Sequence, residues 1–68
     1  MITEIGIVAG EIWHHLDQYG PAVFSTVLMG IDRPKDLALM SLGWLAREGH
    51  VIVRSQAGDL HVALRRSG

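Results

Sequence analysis

The spacing of apolar residues in this chain changes once, near Gly49, and that change limits the fold more than any other feature. Upstream they recur at the three-and-four intervals of a helix face, and downstream they alternate in the two-residue rhythm of a strand. In the first segment Ile5, Val8, Ala9, Ile12, Trp13 and Leu16 fall at i, i+3, i+4, i+7, i+8 and i+11, one apolar stripe of an amphipathic helix. Thr3 followed by Glu4 reads as the N-cap with an acid in the first turn, where hydroxyl and carboxylate both answer unpaired N–H groups. The helix is predicted to end at Tyr19, because Gly20 takes the left-handed conformation and Pro21 cannot continue the helix.

Residues 22–31 come next, with Val23, Val27, Leu28 and Ile31 as expected buried positions. Ser25 is placed to cap a short second helix over roughly residues 26–29, with Gly30 as its stop. The β-branched content of residues 23–27 suits a short extended stretch equally. Asp32 or Arg33 then opens a longer third helix, with Pro34 in the first turn, where its missing N–H costs nothing. That helix runs through Leu37, Leu39, Met40, Leu42, Trp44 and Leu45 to Glu48, and Gly49 closes it.

The last segment alternates, with Val51 and Val53 on one strand and Leu60, Val62 and Leu64 on the other, around Gln56, Ala57, Gly58 and Asp59. Its loop is expected to hold two or four residues, since either keeps all five apolar side chains on one face. A three-residue loop would put His61 and Ala63 there instead. The chain therefore reads as mainly α with a C-terminal β-hairpin. Two of its helices, joined by a tight Gly-containing turn, outline a helix-turn-helix, and the hairpin supplies a two-stranded wing.

Two strings carry a resemblance to a known family. The stretches Ala9-Gly10-Glu11-Ile12-Trp13-His14-His15-Leu16 and Leu42-Gly43-Trp44-Leu45-Ala46-Arg47-Glu48-Gly49 resemble short bacterial and archaeal winged helix-turn-helix proteins catalogued as a domain of unknown function. The Gly-Trp-Leu-Ala-Arg-Glu string is specific, and the resemblance covers nearly the whole chain. It implies a winged-helix fold and an architecture like that of DNA-binding regulators, with no residue-level role attached. The sequence departs most over residues 23–32, where such proteins usually carry a more polar second helix.

Length and composition set further limits. Sixty-eight residues, 49% of them hydrophobic, suffice for one domain spanning 1–68 with a packed core. At this size folding buries only about 60% of the surface an unfolded chain exposes, which makes a partner subunit a natural complement. With no cysteine there are no disulfides, no thiolate catalysis and no Cys-based zinc site, and a cytoplasmic home is expected. Glu4 and Glu11 interrupt the apolar N-terminal run and no base precedes it, unlike a signal peptide. No uncharged apolar stretch reaches the ~18 residues of a membrane helix, so no membrane partner is expected.

The net charge of −1 conceals a segregation. Residues 1–32 carry four acids (Glu4, Glu11, Asp17, Asp32) and no base, for −4. Residues 33–68 carry six bases (Arg33, Lys35, Arg47, Arg54, Arg65, Arg66) and three acids (Asp36, Glu48, Asp59), for +3. A near-neutral total thus hides an acidic half and a basic half, which bears on any anionic partner.

Catalytic and metal chemistry find little support. His14 and His15 are adjacent on a helix, so their side chains diverge by about 100° and cannot chelate one ion unaided. His50 follows a helix stop, His61 lies on the outward strand face, and no His-x3-His spacing or His-Glu-x-x-His string occurs. Ser25, Ser41, Ser55 and Ser67 lack a triad-like context, and the glycines match no phosphate or dinucleotide fingerprint. The expectation is a non-enzyme with no cofactor and no metal.

On a wheel at about 100° per residue the third helix turns Ala38, Leu42 and Leu45 inward with Ser41 beside them. Asp36, Leu39, Met40, Gly43, Trp44 and Arg47 are left outward. Base readout normally uses Arg, Lys, Asn or Gln, and this face offers Arg47 among mostly apolar side chains. Trp13 and Trp44 lie at helical spacing with other apolar residues, so packing explains them better than base stacking.

Two functions fit. In the leading one the domain is a regulator-like, low-specificity DNA binder, with Arg33, Lys35, Arg47, Arg54, Arg65 and Arg66 touching phosphates in a salt-sensitive way, because these bases fall on elements that meet DNA in such folds. In the alternative, Leu39, Met40, Gly43 and Trp44 form an interface closed by a second copy or another protein, with no DNA bound.

Overall fold

The computed structural model describes residues 2–66, so Ser67, weighed above among the serines, lies outside the described residues. Three helices and a three-stranded sheet follow in the order α1 (Ile2–Tyr19), β1 (Ala22–Val23), α2 (Phe24–Ile31), α3 (Lys35–Arg47), β2 (Val51–Gln56) and β3 (Asp59–Leu64). This is the winged helix-turn-helix arrangement expected from the change of period.

Helix α1 ends as its sequence dictates. Gly20 adopts φ +85° and its N–H donates to the Leu16 carbonyl at 2.8 Å, a left-handed cap. Its start differs: the helix begins at Ile2, so Thr3 lies inside the first turn instead of capping it. Val8, Ala9, Ile12 and Leu16 are buried as the stripe requires, whereas Trp13 at its edge remains 39% exposed.

The middle segment differs most from expectation. Helix α2 is twice the anticipated length, running through Gly30 to Ile31, with Asp32 as its C-cap in the left-handed conformation at φ 53°. Ser25 lies inside it, and Val23 holds the N-cap position without a side-chain bond. The extended alternative is realised only at Ala22 and Val23, which pair with Val62 and His61 of β3. Phe24 supplies core that the apolar pattern did not single out, and Val23, Leu28 and Ile31 are half-buried.

Pro34 is the N-cap of α3, one position before the first turn. Its carbonyl accepts the Ala38 N–H at 3.0 Å. At the other end Gly49, at φ +78°, donates to the Ala46 carbonyl at 3.1 Å, and the His50 N–H donates to the Leu45 carbonyl at 2.9 Å. Together these bonds make a Schellman motif that turns the chain into β2.

The sheet is antiparallel in the order β1-β3-β2. Gln56 faces Asp59 across a two-residue loop of Ala57 and Gly58, at φ 53° and 82°, as a type I′ turn requires. This is the shorter of the two expected loops. Val51 opposite Leu64 and Val53 opposite Val62 consequently turn toward the helices. The core gathers α1, Phe24 and Val27 of α2, Ala38, Leu42 and Leu45 of α3, and Val51 and Val62 of the wing.

Candidate interaction face of the third helix

Helix α3 is held by one side. Ala38, Ser41, Leu42 and Leu45 are buried, in the rotation expected from the wheel. Ser41 answers its own burial by donating to the Leu37 carbonyl at 2.8 Å. At about 100° per residue, Asp36, Met40, Gly43 and Arg47 lie within about 60° of one another on the opposite side. All four are exposed, Met40 to 43%.

Leu39 and Trp44 flank this line on opposite sides, 38% and 46% exposed. Leu39 lines a cleft of about 370 Å³ with Lys35, with Phe24, Ser25 and Leu28 of α2, and with Gly58, Asp59 and Leu60 at the wing tip. Trp44 lines an almost wholly apolar cleft of about 380 Å³ with Ile2, Ile5 and Gly6 at the start of α1. Its ring also lies 6.1 Å from that of His50. The apolar residues therefore cover the helix from one neighbour to the other, with Met40 and Gly43 in the middle. A Cβ added at Gly43 would meet nothing within 4 Å. Glycine in mid-helix costs about 1 kcal/mol relative to alanine, so the fold of the single chain gives no reason for it.

The six bases do not gather on this face. Arg33 donates from Nε and Nη2 to the two carboxylate oxygens of Glu11 at 2.9 and 2.7 Å, a bidentate clamp between the α2–α3 turn and α1. Those hydrogen bonds hold the Glu11 carboxyl below its ordinary range and push the guanidinium up. Arg66 donates to Asp17 of α1 at 2.9 Å. The acidic and basic halves thus meet inside one molecule. Lys35 and Arg47 occupy the two ends of α3, about 18 Å apart along its axis. Arg54 faces His61 across the strands, and both line a cleft on the sheet with Ile52, Pro21, Ala22 and Ala63. The Arg65 N–H closes onto the His50 carbonyl at 2.9 Å.

One side chain escaped the sequence reading. His15 lies beneath Gly30, its ring 4.9 Å from that of Tyr19, and its Nε2 is buried without a hydrogen-bond partner. No spacing signal marks it, because the contact joins α1 to a glycine of α2. Among the described residues, no three His, Asp or Glu side chains are grouped to hold a metal ion, and no helix is long and apolar enough to cross a membrane.

The family model described as a winged helix-turn-helix domain, DUF2582, matches residues 1–64. The chain belongs to this family. The same fold is seen in the solution NMR structure of protein BT2368 from Bacteroides thetaiotaomicron. The two align with a TM-score of 0.79 at 22% identity, over 91% of this chain and 76% of that one. No curated protein matches this winged helix-turn-helix domain.

Proposed function

We propose that this winged helix-turn-helix domain is an interaction module whose third helix serves a protein contact where DNA-reading relatives of the same fold would present polar side chains. The observation that carries this reading is the outward stripe of α3. Met40 and Gly43 lie at its centre, Leu39 and Trp44 flank it, and Arg47 is its one group suited to bidentate base contacts. A continuous apolar strip on a small domain marks a contact surface.

Weak duplex binding is the second reading, favoured by a specific observation. Lys35, Arg47, Arg54 and Arg65 make no ion pair among the described residues, while Arg33 and Arg66 are engaged by Glu11 and Asp17. Four phosphate contacts limit the salt dependence to a slope of about −3.6 in log K against log salt, at ~0.9 per neutralised phosphate. Binding of that kind is positional and carries little sequence information.

Light scattering combined with a salt-dependent duplex titration separates the two. The interaction reading expects no measurable duplex affinity at low salt. A monomer whose duplex binding loses about one unit of salt slope in each of Lys35→Ala and Arg47→Ala rejects it in favour of DNA.

A further inference from the structure

We propose that the outer face of the sheet is a ligand site: the cleft at Arg54 and His61 takes a small organic carboxylate, its anionic end on those two side chains and its apolar body over Ala63. The site uses no residue of the α3 face and stands apart from the contact proposed there.

Strand register builds the cleft. Val53 and Val62 turn toward the helices, so the pairs on either side of them, Ile52 with Ala63 and Arg54 with His61, turn to the opposite face. Strand β1 sets Val23 beside His61. Pro21 precedes that strand at the position next to Ala63, where its missing N–H cannot carry the ladder further. Two rows result: Ile52, Ala63 and Pro21 in one, Arg54, His61 and Val23 in the other. The first row runs large, small, large, which leaves a hollow over the Ala63 methyl group with Ile52, 41% exposed, as one wall. The cleft measures about 430 Å³, within the ordinary range of small-molecule sites.

The second row sets the polarity of the occupant. Arg54 carries a planar fork of donors that matches a carboxylate, and His61 stands directly across the strands from it. Among the described residues neither side chain makes an ion pair or a hydrogen bond, whereas Arg33 and Arg66 are met by Glu11 and Asp17. Asp59, the one acid of the hairpin, lines the cleft at the wing tip. A guanidinium opposite an imidazole gains nothing from that neighbour and is repelled by it once the imidazole is protonated, while an anion placed between them is attracted by both. One permanent cation suits one negative charge, so a carboxylate is matched and a phosphate dianion is left partly uncompensated. The apolar row beside it requires the anion to carry an apolar body, which an inorganic ion lacks.

Titration of the intact chain with acetate, butanoate and hexanoate at constant pH and ionic strength tests this, followed through the backbone amide resonances of residues 52–54 and 61–63. Hexanoate is expected to half-saturate the site at about 1–20 mM. Affinity is expected to rise about two- to fourfold for each CH₂ group that the hollow buries. Hexanamide, which keeps the body and lacks the charge, and inorganic phosphate, which has charge and no body, are each expected to bind about tenfold more weakly. Arg54→Ala is expected to weaken hexanoate binding about tenfold or more, and Ala63→Leu to abolish it by filling the hollow. Arg47→Ala, which lines no part of this cleft, is expected to leave it unchanged. Far-UV circular dichroism confirms that each variant folds. Should one variant misfold, the other and the comparison of hexanoate with hexanamide on the native chain still decide. The proposal is overturned by hexanoate that leaves those resonances unmoved, by hexanamide or phosphate that binds as tightly, or by a folded Arg54→Ala or Ala63→Leu chain that binds hexanoate like the native one.

Discussion

Gly30→Ala is expected to destabilise the domain, although the same change at Gly43 is expected to stabilise it. Both glycines lie inside helices, α2 and α3, where alanine is intrinsically better by about 1 kcal/mol. They differ in what a methyl group would meet. At Gly43 it meets nothing within 4 Å, so the full helix gain of about 1 kcal/mol is available. At Gly30 it would stand 2.7 Å from Cε1 and 2.8 Å from Nδ1 of His15, closer than such atoms approach. The ring must tilt away from Gly30, and the Tyr19 ring, 4.9 Å from it, must shift to accommodate it. Overpacking of this kind costs about 1–3 kcal/mol. Set against the helix gain, the net loss is about 1 kcal/mol, or a fall in Tm of about 4–8 °C for a domain of this size. The double-mutant cycle sharpens the test. With His15→Ala the obstruction is gone, and adding Gly30→Ala is then expected to raise stability by about 1 kcal/mol, a coupling of about 2 kcal/mol between the two sites. Thermal and urea denaturation measure all four species. If Gly30→Ala raises Tm as much as Gly43→Ala does, the His15 contact is not a constraint and the reasoning fails.

Two further outcomes follow from the geometry. Ala57 holds φ 53° at the first position of the wing turn, a conformation that costs a non-glycine residue about 1 kcal/mol, so Ala57→Asn, giving the favoured Asn-Gly pair, is expected to raise Tm; a fall in Tm would show that the turn does not hold this form in solution. Glu11, held below the ordinary value of 4.5 by Arg33, contributes stability that is complete above that value and is lost as pH falls through the lowered one. Glu11→Gln is therefore expected to flatten the acid side of the stability profile below about pH 4.5, and superimposable native and variant profiles there would contradict the clamp.

How much of this was legible in the sequence depended on whether one element or two decided the outcome. The α1 stripe, the stops at Gly20 and Gly49, the hairpin and its register, and the inward face of α3 are each set by local periodicity and backbone conformation, and they were readable. The segment around α2 was not. Phe24 is buried because Ala22 and Val23 add a short strand to β3, a long-range pairing that no spacing over residues 22–31 encodes. Gly30 reads locally as a helix stop, yet the helix continues because the glycine makes room for His15 of another helix. The bases Arg33 and Arg66 were legible as charges but not as partners of Glu11 and Asp17, 22 and 49 residues away. The apolar character of the α3 face was legible. Its division into a flank toward the wing and a flank toward α1 required the neighbours to be in place.

A sequence that follows the local rules nearly everywhere spends stability where it breaks them, and such places mark function more often than accident. In this domain most helix ends and the packed faces follow the rules, with left-handed caps at Gly20, Asp32 and Gly49 and a core drawn from all three helices and the wing. Two departures fall on one surface of α3: a glycine in mid-helix with nothing beside it, and a methionine and a tryptophan left nearly half exposed. Neither improves the isolated chain, and alanine at position 43 with polar residues at 40 and 44 would give a more stable, more soluble monomer. A fold built only to be stable would have lost these features. A contact at the outward face of α3 accounts for both.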